Sequence, residues 1–141
     1  MHTVVQTQVP ELVSLLSHSY SAHMRYGACF AVGIACAGTS SPAALRLLKP
    51  LLKDKVDYVR QGAMIAESMI VMQDASHYKR CRDKYLSVIT DKHQNTMSKM
   101  GAILSTGILN GNARRSQSET HDTSAQSDST LLLCSFVVLT D

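Results

Sequence analysis

The chain has 141 residues, 45% of them hydrophobic, with 5% aromatic residues, no tryptophan and a net charge of +3. That length supports one domain with a real core, and so weak a net charge argues against a polyanion binder that works by bulk charge. The charge is uneven: residues 1–110 hold 12 Lys+Arg against 7 Asp+Glu, a balance of +5, whereas residues 111–141 hold 2 against 4, a balance of −2.

Taken in chain order, the first predicted helix begins near Pro10 and carries Leu12, Leu15 and Leu16 on one stripe. Ser17 to Ser21 is a short polar turn, and Ser21 is placed to cap a second helix through Arg25-Tyr-Gly-Ala-Cys-Phe-Ala-Val-Gly-Ile34. Ser41-Pro42 then supplies a cap and a proline at the first helical position for a helix with Leu45, Leu48, Leu51 and Leu52 inward. After the turn at Asp54 to Val56, Asp57 is placed to cap a helix through Arg60-Gln-Gly-Ala-Met-Ile-Ala-Glu-Ser-Met69. A third pair follows, one helix with Tyr78, Cys81, Tyr85, Val88 and Ile89 inward, a turn at Thr90 to Gln94, and one from Asn95 through Lys99-Met-Gly-Ala-Ile-Leu-Ser-Thr-Gly-Ile108. The three Gly-Ala helices share one pattern at a spacing of 35 and then 39 residues, the signature of a repeat array whose units pack on their neighbours. The fold class is therefore all-α: a solenoid of helical hairpins over residues 1–110, repeated nearly three times.

The second helix of each hairpin carries glycine at a cost of about 1 kcal/mol per residue relative to alanine. Close helix packing can offset it. Gly27, Ala28, Ala31 and Ala35 form one small-residue stripe; Gly62, Ala63 and Ala66, then Gly101, Ala102 and Ser105, are its counterparts. Large apolar residues flank each stripe, so each of these helices is expected to be buried between neighbours. Residues 112–130 hold no large apolar side chain and are expected to be disordered, as part of a non-repeat tail over 111–141. The segment Leu131 to Leu139 is β-prone and uncharged, an aggregation hazard if exposed, and half of what a membrane-spanning helix needs.

Few residues suggest chemistry. Cysteines at 29, 36, 81 and 134 have no metal-binding spacing and read as free thiols in a reducing compartment, with no secretory signal ahead of them. His77 and Cys81, four apart on a helix, are half of a metal site without a second pair. No nucleotide loop, zinc helix or nucleophile elbow is present, so no catalytic residue, metal or cofactor is expected. Lys79, Arg80, Arg82 and Lys84 form the one dense basic cluster, a candidate interaction surface. Tyr78 and Tyr85 flank it as base-stacking rings would, yet both fall on the apolar stripe, which favours a solvated helix face or an acidic protein partner over RNA. Arg25, Arg60 and Lys99 recur two residues before the glycine, which suggests a recurring partner such as the carbonyls at the end of the preceding repeat.

The stretches Arg25 to Thr39, Asp57 to Ala66 and Asp91 to Leu109 resemble the proteasome/cyclosome repeats, most of all those of the largest non-ATPase subunit type of the proteasome regulatory particle base. The resemblance covers residues 3 to 111, and several consecutive residues agree in each repeat. It implies a non-enzymatic scaffold whose hairpins form part of a toroid of two concentric helix rings. It also implies contacts with other proteasome subunits, the ATPase ring and ubiquitin receptors, in support of ubiquitin-dependent degradation in cytoplasm and nucleus. No small-molecule substrate, cofactor or membrane is implied. With about three repeats and nothing matching the family after Gly111, the chain resembles a truncated or diverged form. A free-standing helical-repeat adaptor and a non-functional fragment are the alternatives, and the isolated chain is expected to be marginal, oligomeric or aggregation-prone.

Overall fold

The computed structural model describes the backbone of residues 2–118 and the side chains of residues 8–111. Six helices follow one another: α1 (His2–Ser17), α2 (Ala22–Ala35), α3 (Pro42–Leu51), α4 (Asp57–Val71), α5 (Ala75–Thr90) and α6 (Thr96–Ser118). They form three hairpins, α1–α2, α3–α4 and α5–α6. The Gly-Ala helices lie side by side, α2 on α4 and α4 on α6, and make the row on which the outer helices α1, α3 and α5 rest. The expected turns at 17–21, 54–56 and 90–94 fall between the observed helices almost residue for residue.

Chain chemistry accounts for the boundaries. Pro42 opens α3 at the position where a missing N–H matters least. Asp74 caps α5 by accepting from the Ser76 N–H at 2.9 Å. Ser21 and Ser41 stand at their expected cap positions without donating or accepting a side-chain capping bond. Asp57 is the first residue of α4 rather than its cap, and Val56 holds that place. Between hairpins, the loop after α2 bends back through Gly38 at φ +69°, a conformation L side chains rarely adopt. Its N–H groups at Gly38 and Ser40 donate to Met69 and Ile70 carbonyls at 2.9 and 3.1 Å, so the loop seals the last turn of α4.

Two helices are longer than the pattern predicts. α1 begins at His2, which places Pro10 inside the helix, where it gives up one backbone hydrogen bond. α6 continues to Ser118 and takes in the first residues of the polar stretch expected to be disordered. The rest of that stretch, and the apolar segment 131–139, lie outside the described residues.

The core runs along the α2–α4–α6 row. Val32, Val59, Ala63, Ala66, Ile70, Val71, Ala102 and Leu109 are buried there, with Leu48 and Tyr85 entering from the outer helices. Two buried hydroxyls of α6 are satisfied within their own helix: Ser105 Oγ donates to the Gly101 carbonyl at 2.7 Å, and Thr106 Oγ1 to that of Ala102 at 2.8 Å. The first hairpin departs from expectation. α1 turns Pro10, Val13 and Ser17 inward, while Leu12 and Leu15 stand 71% and 82% exposed. The leucine stripe is real, but α1 lies at one end of the stack and is covered by α2 and α3 on one side only.

Candidate interaction surface

The small-residue stripes of α4 and α6 are sockets, and the partner of each is the Gly-Ala helix of the preceding hairpin. A Cβ on Gly62 would come within 2.8 Å of the Tyr26 ring, whose edge occupies that space. A Cβ on Gly101 would come within 2.8 Å of the Gln61 backbone, and one on Gly33 within 2.9 Å of Ala66 Cα. At Gly33 and Gly101 an added methyl would meet backbone and push the helices apart, whereas at Gly62 it would displace the Tyr26 ring. Ala28, Gly62, Ala63, Ala66, Gly101, Ala102 and Ser105 are buried. Gly27 and Ala31 are not: both are exposed, and nothing lies within 4 Å of the place where a Gly27 Cβ would be. Their stripe is intact, but nothing among the described residues covers it.

Two open faces result. On α2, Met24, Gly27, Ala31 and Ile34 form one exposed row, with Ile34 68% exposed. On α6, Met97, Met100, Leu104 and Gly107 form another, again with nothing near the Gly107 Cβ position. By repeat position, Met100, Leu104 and Gly107 correspond to Tyr26, Phe30 and Gly33, the residues of α2 that receive α4.

Two of the three recurring basic residues, Arg25 and Arg60, have a recurring partner, though not the expected one. Arg25 donates from Nη1 to the Ser19 and Tyr20 carbonyls at 2.9 and 3.0 Å; Arg60 does the same to Asp54 and Lys55 at 2.7 and 3.1 Å. These carbonyls belong to the turn of the same hairpin, six and five residues back, rather than to the preceding repeat. The other side of each guanidinium reaches forward. Arg25 binds both carboxylate oxygens of Asp54 at 2.8 and 3.1 Å, and Arg60 Nε donates to Ser98 Oγ at 3.2 Å. A planar fork with five donors can serve a turn and a neighbour at once, which an ammonium does less well.

Burial by itself favours the neutral acid at Asp54, but the Arg25 guanidinium and the Val56 N–H outweigh it and hold the carboxyl below its usual range. A carboxyl lowered on folding adds stability above its unfolded pKa of about 4 and loses it as pH falls through the lower folded value. Asp74 and Asp91 are lowered as well, by hydrogen bonds from Ser76 and His77 and from the His93 N–H respectively. Urea midpoints are therefore expected to fall below about pH 4, and to fall less steeply in Asp54→Asn; an identical acid limb in that variant would remove Asp54 from the account.

Cys29, Cys36 and Cys81 are buried, and no disulfide joins them. Burial pushes the Cys29 thiol up to about 12 and that of Cys81 to about 11. With Cys134 replaced by serine, a thiol reagent at about pH 8 is expected to label the native chain far more slowly than the urea-unfolded one. Rapid native labelling would contradict that burial. His77 Nδ1 lies 2.7 Å from Asp74 Oδ2, and among the described residues no group of three or more His, Cys, Asp or Glu side chains gathers as a metal site would need.

The basic cluster divides. Tyr85 is fully buried, with its hydroxyl donating to Glu67 Oε2 at 2.8 Å, and Tyr78 is half-buried against the core and donates to Asn110 Oδ1 at 2.7 Å. Lys79 and Arg82 point away from the other two. Arg80 and Lys84, one turn apart, line a groove of about 550 Å³ whose opposite wall is α3. From α3 come Arg46 and Lys49, one turn apart on one helix face, and Lys53 joins them from the turn that follows. The floor is apolar, made by Leu45, Leu52, Val71 and Cys81, and its one carboxylate, Glu67, accepts from Lys84 Nζ at 2.6 Å. The α3 cations were visible in the sequence as a helical stripe, but their meeting with Arg80 and Lys84 depends on how two hairpins stack.

Residues 27–61 match the proteasome/cyclosome repeat family. Over 111 residues, 76% of its length, the chain is 52% identical to 26S proteasome non-ATPase regulatory subunit 1 homolog B of Arabidopsis thaliana. It is 48% identical over 128 residues to 26S proteasome non-ATPase regulatory subunit 1 of Drosophila melanogaster, and 48% over 112 residues to 26S proteasome regulatory subunit RPN2 of Saccharomyces cerevisiae, covering 84% and 77% of the chain. The chain spans 11% to 12% of the length of these relatives. No described helix is long and apolar enough to cross a membrane.

Proposed function

From the premise that this chain is a proteasome/cyclosome repeat protein, similar over most of its length to a segment of proteasome regulatory subunits, we propose that it is a non-enzymatic scaffold element of the proteasome regulatory particle. It acts through helix-face contacts with other subunits, the ATPase ring and ubiquitin receptors among them, and so supports ubiquitin-dependent degradation in cytoplasm and nucleus. One observation carries most of this reading: the open faces on α2 and α6 present the same positions that join hairpin to hairpin inside the chain. A protein whose core interface is left ready at both ends is suited to be one sector of a larger stack. The relatives are named as non-ATPase regulatory subunits, in keeping with a structural part. The buried Tyr85 ring and the half-buried Tyr78 ring weigh against RNA binding through the 79–84 cluster, because stacking needs free ring faces.

The test is affinity purification of the tagged full chain from its own cells, alongside Gly27→Leu and Gly107→Leu. At both positions the first added carbon meets nothing within 4 Å, and circular dichroism checks that each variant keeps the fold. Recovery of proteasome base subunits with the natural chain, reduced by either leucine, supports the proposal. Recovery of chaperones alone, or of base subunits equally with all three chains, overturns it.

A further inference from the structure

We propose that the groove between α3 and α5 is a docking site for an acidic amphipathic helix of a partner protein, one that lays an apolar stripe on the floor between two acidic flanks. The surface is distinct from the open α2 and α6 faces and does not depend on how those are used. Its chemistry argues for this occupant from three sides. The floor, Leu45, Leu52, Val71 and the edge of Cys81, lacks a free polar group, so it selects apolar side chains rather than a small hydrated anion. The rims are cationic on both sides, Arg46, Lys49 and Lys53 facing Arg80 and Lys84. The only acid among the lining residues, Glu67, is already held by Lys84 and the Tyr85 hydroxyl, which leaves the remaining rim charges uncompensated.

Shape agrees with charge. α3 and α5 are parallel members of successive hairpins, and the groove between them is floored by Glu67 and Val71, one turn apart on α4. A third helix lying there would present residues at i, i+3, i+4 and i+7 to the floor, the usual way an amphipathic helix fills a groove between two others. Arginine and lysine rims on opposite walls reward a ligand with carboxylates on both flanks of its stripe, and penalise one with acids on a single side. Single-stranded RNA would satisfy the rims but would find neither a stacking ring nor a polar floor.

The experiment uses the full chain and a fluorescent synthetic peptide of about 18 residues with leucines at helical stripe spacing and glutamates on both flanks. Fluorescence anisotropy at about 0.15 M salt is expected to show saturable binding, weakened at least about tenfold by Lys49→Glu/Lys53→Glu and by Arg80→Glu. Two comparisons separate a groove from general charge attraction. A peptide of the same composition with a scrambled stripe should bind at least about tenfold more weakly. The double change Lys79→Glu/Arg82→Glu, which alters equal charge outside the groove, should leave affinity within about twofold. All the substituted positions but Arg82 are exposed, and far-ultraviolet circular dichroism confirms each fold before titration. The proposal is overturned by equal binding of the scrambled peptide, by equal losses from the two double variants, or by displacement of the peptide by a single-stranded RNA of matched charge. It is also overturned if the peptide binds only after residues 119–141 are removed, which would make the chain's own tail the occupant.

Discussion

Gly101→Leu is expected to lower the unfolding free energy of the chain by about 3 kcal/mol, the upper end of what an overpacked helix contact costs. The reason is the neighbour: the first added carbon would stand 2.8 Å from Gln61 Cα and 3.1 Å from Met64 Cε, and the nearer of these is backbone that cannot rotate away. α6 must then separate from α4 along its length, and the dispersion contacts of the whole interface weaken. Gly27→Ala should do the opposite. It adds a methyl into open space on a helix, so the isolated chain gains about 1 kcal/mol from helix propensity. Two glycines at equivalent repeat positions are thus predicted to respond with opposite sign. Urea denaturation of both variants checks it; destabilisation by Gly27→Ala would mean that the α2 face is already covered in solution.

Tyr85→Ala comes second, with an expected loss of about 3–5 kcal/mol, the range for removing a large ring from a core. Tyr85 is fully buried, and its hydroxyl contacts both the Glu67 carboxylate and, at 3.2 Å, the Met64 carbonyl of α4. Burial pushes its phenol far above the ordinary value, with the nearby Glu67 charge adding to the effect, so it stays neutral and continues to donate. Tyr85→Phe keeps the ring and forfeits only the hydrogen bond, which is worth about 1 kcal/mol. The difference between the two variants reports how far α5 is docked by shape and how far by the hydroxyl. Marginal repeat arrays have only about 5–15 kcal/mol in total, so the alanine variant should shift its thermal midpoint by many degrees. A loss below about 1 kcal/mol would mean that α5 is held elsewhere.

The helices and their turns were legible in the sequence because each depends on residues close together in the chain, whereas what meets Gly62 and Gly101, the Tyr26 ring and the Gln61 backbone, lies far back along it. Periodicity reports which face of a helix is apolar. It does not report whether anything covers that face, and this is why Leu12, Leu15, Gly27 and Ala31 are exposed despite a correct pattern. The repeated basic residue was recognisable as having a partner, but the donors of Arg25 split between its own turn and an aspartate 29 residues away, which no local pattern encodes. The 79–84 cluster was read as one surface from its density. On a helix, alternate residues face different ways, and stacking then paired Arg80 and Lys84 with cations more than 25 residues earlier.

The two-sided arginines have a consequence for assembly. Arg25 and Arg60 each fasten their own turn with one edge and reach only toward the hairpin that follows, so the series has a sense of direction, like an arrow rather than a rod. A hairpin added in reverse would bring its turn to the wrong end and meet no outstretched guanidinium. Growth by this rule is head-to-tail, and rearranging the units would preserve their individual folds while destroying the grammar that orders them.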